Sequence, residues 1–326
     1  MRQLKCVLKR AGVAMLLSVS VMAVAAEYPA RPIRLVVSSA PGGAADLIAR
    51  PVASQMEKQF GYTIVVDNRA GANGIIGTDI VAKAAPDGYT YLVNTVAVTI
   101  NPSVYRKLPY DTERDILPVT NLALGSGYIL IVNPSLAANS VQELISLARK
   151  GDSRLGYGTP GFGNGQHLAG ELFNLRAGVK LLHVPYKGVA PAMNALLGGE
   201  VQVGFIPPIV ATQHIKAGKV RALGFTGTAR LPALPEVPTI AEAGVPGFRF
   251  VGNWDGWFAP AGTPPAIIDR IYRSIREVLQ VPRIRDAIIA AGYDPLADTP
   301  ADFGKFVRAE IRKYAEIVRA AKIQPE

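Results

Sequence analysis

The sequence predicts an α/β protein of two domains, and three observations carry that reading. Strand-length apolar runs alternate with helical stretches along most of the chain, the pattern of a parallel sheet covered by helices. Two strand-to-helix junctions, Pro41-Gly42-Gly43 and Thr159 to Gly165, are rich in glycine. Extended stretches, Leu117 to Asn133 and Phe248 to Phe258, separate one βα series from the rest, so the chain crosses between domains twice. Two crossings imply a hinge, with a cleft beyond the carboxyl ends of the strands. The domains expected are 27–124 with 251–326, and 125–250.

In order, Leu35 to Val37 reads as a buried strand, and Pro41 to Arg50 as a glycine turn opening a helix. No bulky side chain stands at that turn, so a ligand can approach the backbone, and the first helical N–H groups have no intrahelical acceptor. Such a terminus favours a carboxylate or phosphate. The other reading, a plain tight β-to-α connection, stays open on this stretch alone. Thr63 to Asn68 gives a second strand, Arg69 to Gly74 another glycine-rich turn, and a helix runs to Ala85. Thr90 to Val93 gives a third strand ending at Asn94 and Thr95.

The second series opens with a helix from Ser140 to Lys150, where Ser140 and Glu143 form a capping box. Leu155 to Gly158 is a strand, Thr159 to Gly165 a second cradle, and Gln166 to Leu175 a helix. Strands follow at Leu181 to Tyr186, Val201 to Ile206 and Val220 to Thr226, with helices between them. Pro232, Pro235, Pro238 and Pro246 mark an irregular return, and Phe248 to Phe258 a strand crossing back. Helices at Pro264 to Leu279, Arg283 to Ala291 and Pro300 to Ala321 close the chain, each expected on the first sheet.

Residues 1–26 belong to neither domain. Arg2, Lys5, Lys9 and Arg10 precede an apolar run, Ala11 to Met22, and small residues before Glu27, which is a secretory leader followed by a cleavage site. The expected product is exported to the periplasm. Loss of those four basic residues takes the net charge of the 326-residue chain from +10 to +6. A moderate positive field steers anionic small molecules. The basic residues are scattered without interleaved aromatics, which argues against nucleic acid. The single cysteine, Cys6, leaves with the leader and precedes the apolar run, so disulfides, thiolate ligands and lipid attachment are not expected.

Gly156-Tyr157-Gly158-Thr159-Pro160-Gly161 matches the dinucleotide pattern in letters, but its first glycines fall within a strand and no acidic residue ends the next one. No cofactor is expected. Serine hydrolase chemistry lacks a nucleophile elbow, and His167, His183 and His214 show no triad or metal spacing. No metal is expected. Gly252 to Phe258 carries Trp254, Asp255 and Trp257; these are either core packing or, at Trp254 and Asp255, an edge that selects the ligand.

The chain resembles the Bug family, the TctC-like extracytoplasmic solute receptors of tripartite tricarboxylate transporters. The marks are Tyr28-Pro29-x-Arg31-Pro32-Ile33, Pro41-Gly42-Gly43-x-x-Asp46, Asn68-Arg69-x-Gly71-Ala72-x-Gly74, Pro86-Asp87-Gly88-Tyr89-Thr90, His167 to Phe173, Val184 to Gly188 and Phe258 to Pro264. The resemblance implies a periplasmic binding protein fold of type II, with two crossing hinge strands and the ligand between the domains. It implies a small carboxylate held by Pro41, Gly42, Gly43, Ala44, Ala45 and Asp46 on one side and by Thr159, Pro160, Gly161, Phe162, Gly163 and Asn164 on the other. Asn94, Thr95, Tyr186, Ile206, Trp254 and Asp255 complete the expected site. Ala44-Ala45 stands where Ser or Thr is common, and Ile206-Pro207-Pro208 where an Asp often follows the Phe. The second departure argues against an amino acid and for a dicarboxylate or aromatic carboxylate.

The function expected is therefore non-catalytic: a monomeric receptor that closes on its ligand and delivers it to membrane permease subunits or to a sensor domain. The alternative is a secreted hydrolase or isomerase using the same cleft.

Overall fold

A computed structural model describes residues 28–150, 155–290 and 292–326. The leader 1–26, with Cys6, and the end of the helix expected to reach Ala291 lie outside the described residues. The chain divides into a short unit, Met1–Ala30, and one body, Arg31–Glu326, to which every element below belongs.

The first series is β1 (Ile33–Val37), α1 (Ala44–Phe60), β2 (Ile64–Asn68), α2 (Ile75–Ala82), β3 (Thr90–Thr95), α3 (Ala97–Val104) and β4 (Ile116–Gly125). Ser126 to Tyr128 then lead into β5 (Ile129–Val132), α4 (Val141–Lys150), β6 (Gly156–Thr159), α5 (Gly165–Ala177), β7 (Leu182–Pro185), α6 (Val189–Leu197), β8 (Val203–Ile206), α7 (Pro208–Lys216) and β9 (Arg221–Phe225). After an irregular return the chain forms β10 (Asn253–Pro260), α8 (Pro265–Gln280), α9 (Pro282–Ala290), β11 (Tyr293–Pro295) and α10 (Pro300–Ala320).

Two sheets result, in the orders β11-β4-β10-β3-β1-β2 and β7-β6-β8-β5-β9. Neither is wholly parallel, contrary to the alternation rule applied to the sequence. β1 pairs parallel with β2 and β3, and β6 with β7 and β8, whereas β10 runs antiparallel to β3 and β4, and β5 to β8 and β9. The cause is the crossing itself. A strand arriving from the other sheet starts at the edge where its neighbours end, so β5 and β10 are reversed. The first crossing lies at Ser126 to Tyr128, a few residues beyond Leu122, and the return strand begins at Asn253, not at Phe248.

Helix ends follow local chemistry. Ser140 Oγ accepts from the Glu143 N–H at 3.1 Å, and Glu143 Oε2 accepts from the Asn139 N–H at 2.6 Å, so the capping box forms with its return arm one residue early. α3 was not marked in the sequence. Its Val98, Thr99 and Ile100 favour strands, but complete burial against the sheet and α10 decides the outcome. β11, three residues long, carries no periodic signal. α8 and α10 pack on β4. Trp254, Phe258, Phe303 and Phe306 interlock there, with Trp254 and Phe303 edge to face at 5.8 Å.

Within α5, Gly170 lets the buried Tyr157 ring of β6 lie directly on the helix, because a Cβ there runs into the ring. Gly170→Ala is therefore expected to destabilise the fold by about 1–2 kcal/mol in urea unfolding, although alanine favours helix by up to ~1 kcal/mol. A rise in stability would show that the ring yields.

Candidate functional site

A cavity of about 100 Å³ lies where strands of both sheets end or begin. Six helices start on its wall. α1 contributes Gly43, Ala44 and Ala45, α2 Gly74, and α3 Val96 and Ala97 from the first sheet; α5 contributes Asn164, Gly165 and Gln166, α6 Gly188 and Val189, and α7 Pro207 from the second. Each start carries partial positive charge from aligned peptides. Asp255 and Lys187 are the charged side chains among the described lining residues.

The first glycine loop supplies an open helix terminus. α1 has no side-chain cap at Gly43, and Gly43, Ala44 and Ala45 line the cavity. Pro41, Gly42 and Asp46 stand outside the lining. Asp46 is a brace: its carboxylate accepts from Arg50 at 2.6 Å, Asn68 Nδ2 at 3.0 Å and the Gly42 N–H at 3.0 Å. Burial alone would raise its pKa, but these bonds outweigh it and hold the carboxyl below its usual range. Asn94 is also braced and yet lines the wall. Its Oδ1 accepts from Ser38 Oγ at 2.6 Å and the Thr95 N–H at 2.7 Å, while Nδ2 donates to Thr78 Oγ1 at 2.9 Å.

The returning strand presents its two marked residues differently. Trp254 borders the cavity, but its indole N–H donates to Glu310 Oε2 at 3.2 Å on α10 and is not aimed at a ligand. Asp255 lines the cavity and is 1% exposed, with Oδ1 lacking a hydrogen-bond partner. Burial pushes its carboxyl up to about 7.

The second glycine loop is largely closed on itself. Asn164 Oδ1 caps α5, accepting from Gln166 N–H at 2.8 Å and His167 N–H at 3.0 Å, and its Nδ2 donates to the Gly161 carbonyl. The Gly163 N–H donates to His167 Nδ1 at 3.1 Å, and the Gly161 N–H to Thr159 Oγ1 at 3.3 Å. Of the expected residues, Pro160 and Asn164 line the cavity, and Thr159, Gly161, Phe162 and Gly163 do not. Beneath them His167 and His183 stack at 3.9 Å under Phe162, with His183 Nε2 2.7 Å from Thr159 Oγ1. Burial, with His183 adding to it, pushes His167 down to about 3, and burial pushes His183 down to about 4. Both are neutral supports of the loop. Tyr186 and Ile206 pack in the apolar cluster of the second sheet, and Pro207 takes the lining place beside Ile206.

Several lining residues were not singled out as site residues in the sequence. Gly71, Asn73 and Gly74 belong to the repeated strand-turn-helix unit, whose glycine-rich turn is the signal in the sequence that points to them. Lys187 and Gly188 sit in the Val184 to Gly188 motif and open α6. Ser39 and Gln166 bring further polar atoms without hydrogen-bond partners to the wall, and Asn253 adds its amide. The described residues hold no cluster of three or more His, Cys, Asp or Glu suited to a metal, and no helix long and apolar enough to cross a membrane.

Two α/β sheets joined by two crossings, with helix starts facing one shared cavity, define a solute-binding protein of the periplasmic-binding class. Structural neighbours agree: the periplasmic binding protein BugD is 34% identical with a TM-score of 0.87, covering 92% of this chain and 100% of its own. Rpa4515 of R. palustris, solved with adipate, is 34% identical with a TM-score of 0.88 over the same shares, 92% and 100%. BugT of Bordetella pertussis is 37% identical over 294 residues, 90% of each chain. The chain belongs to the tripartite tricarboxylate transporter receptor family, TctC, whose model matches residues 48–323.

The neutral histidines give a pH signature with a definite sign. Below the ordinary value near 6.5 the unfolded chain binds the extra protons, so the histidine contribution is complete above that pH and is lost as pH falls toward 4 and then 3. Between pH 6.5 and 5 each ring costs about 2 kcal/mol. Asp255 works oppositely: its raised carboxyl stabilises the fold below the unfolded carboxylate range and loses that contribution as pH rises to about 7. Comparing urea unfolding of wild type and His183→Gln at pH 7 and pH 5 isolates one ring. The variant is expected to lose about 2 kcal/mol less on acidification, and equal losses would contradict a neutral His183.

Proposed function

We propose that the protein is a non-catalytic receptor that captures a small carboxylate, a dicarboxylate or aromatic carboxylate in preference to an amino acid, between two closing domains. The domains are 27–124 with 251–326, and 125–250, hinged at the crossings. The reading includes export to the periplasm through the leader 1–26, action as a monomer, and delivery to membrane permease subunits of a tripartite tricarboxylate transporter or to a sensor domain. It involves neither cofactor nor nucleic acid.

The observation that carries it is the convergence of six helix starts on one cavity. Each terminus contributes about 0.3–1 kcal/mol to an anion when exposed and up to ~2 when partly buried. Micromolar binding needs about 8 kcal/mol, so cleft burial on closure must add to the termini. Adipate in the related Rpa4515 is consistent with this chemistry. A histidine-based hydrolase is disfavoured because His167 and His183 direct ring nitrogens to Gly163 and Thr159 and not to the cavity.

Ala44→Asp separates fold from binding. An acid at the first position of α1 suits the helix by about 0.3–1 kcal/mol, yet it places negative charge where the ligand carboxylate would sit. Thermal unfolding should be unchanged or slightly higher, while calorimetry with adipate should show affinity reduced about 100-fold, ~2.7 kcal/mol. Normal adipate binding by this variant would contradict the assignment.

A further inference from the structure

Among the described lining residues Asp255 is the one acidic side chain, and apart from Lys187 the rest of the wall is built of partial positive charge and neutral groups. It stands on β10 opposite Thr95 of β3 and Ala123 of β4, neither of which titrates. The titratable groups that sense it are Tyr128, at the first crossing, and Tyr293 of β11; burial and then the Asp255 charge raise both phenols. Neither relieves it by charge. The Tyr128 hydroxyl donates at 3.1 Å to the Gly252 carbonyl. Asn253, two residues away on the same strand, interacts with the Tyr293 phenol. Lys187, on the second sheet's side of the cavity, is exposed, and burial with no charge partner accounts for the raised Asp255 carboxyl. An ionised carboxylate buried without a counter-ion is strongly disfavoured, and the neutral carboxyl has one O–H to donate.

We propose that Asp255 sets ligand specificity: its neutral carboxyl donates a hydrogen bond to the acidic group of the ligand remote from the helix starts, so that a dicarboxylate is selected and bound as a proton-linked pair. This deepens the carboxylate-receptor reading and rests on it. The proton comes from solvent whenever Asp255 is ionised in the free protein, and it is held between two carboxyl groups in the complex. Raising the pH therefore weakens the binding of a two-ended acid, because the ionised Asp255 repels the remote carboxylate. A ligand with an apolar remote end shows no such loss. One with an ammonium there would gain.

Calorimetry with adipate, hexanoate and 6-aminohexanoate, equal in chain length, tests this at pH 6.5 and 8.5 in two buffers of different ionisation enthalpy. For wild type, adipate affinity is expected to fall about tenfold or more between these pH values, with uptake approaching one proton per adipate at the higher one. Hexanoate should bind more weakly and without pH dependence, and 6-aminohexanoate weakest at pH 6.5. Asp255→Asn, whose amide donates at any pH, should retain adipate binding at pH 6.5 within a few-fold and lose both the pH dependence and the proton uptake. If that variant does not fold, the proton count on wild type decides alone. Flat adipate affinity in wild type, or 6-aminohexanoate binding tighter than adipate, would overturn the role of Asp255 while leaving the receptor reading standing. Failure of all three probes to bind at pH 6.5 would overturn that reading and this inference together.

Discussion

The positive ends of six helices meeting at one cavity are the feature on which the rest depends. Strands of both sheets end or begin at the same edge, and glycine-rich or proline turns there open helices whose starts line the space. Partial charges of this kind need no lysine or arginine, which bring longer side chains and greater mobility. They stabilise an anion without a full counter-charge having to be desolvated. The surrounding polar residues mostly hold these turns in place: Asp46 with Arg50 and Asn68, Asn94 with Ser38 and Thr78, and the His167–His183 stack.

The two glycine loops do this differently. At α1 no side chain caps the helix, so its first N–H groups remain for a ligand. At α5 Asn164 already caps the terminus, and the loop N–H groups of Gly161 and Gly163 have acceptors within the protein. The first loop is thus the stronger anion site, and the second acts mainly as a rigid wall supplying Pro160, Asn164, Gly165 and Gln166. An equal division of the ligand between the two loops does not follow from this geometry.

Strand and helix spans were legible because periodicity and turn chemistry are local. Ser140 and Glu143 announced α4, and the glycines announced both cradles. Strand direction was not legible, since whether β10 runs with or against β3 depends on which side of the cleft the chain returns from. α3 was hidden because β-branched residues read as strand until burial is known. At the site, an acid in the first turn of α1 looked like a ligand contact; nothing local showed that Arg50 and Asn68 would occupy it. On β10 the alternation of side chains was visible, but only the packed fold shows the Trp254 indole N–H bonded to Glu310 and Asp255 Oδ1 left without a partner on the cavity wall.

The central claim is that an anion sits at the helix starts, and amide chemical shifts report it most directly. On titration of ¹⁵N-labelled protein with adipate, the largest downfield proton shifts are expected at Ala44 and Ala45, with smaller ones at Gly74, Ala97, Gly165 and Val189, all on the cavity wall. Perturbations confined elsewhere, for example to the surface pocket between Pro102 and Asp115, with Ala44 and Ala45 unmoved, would contradict the account.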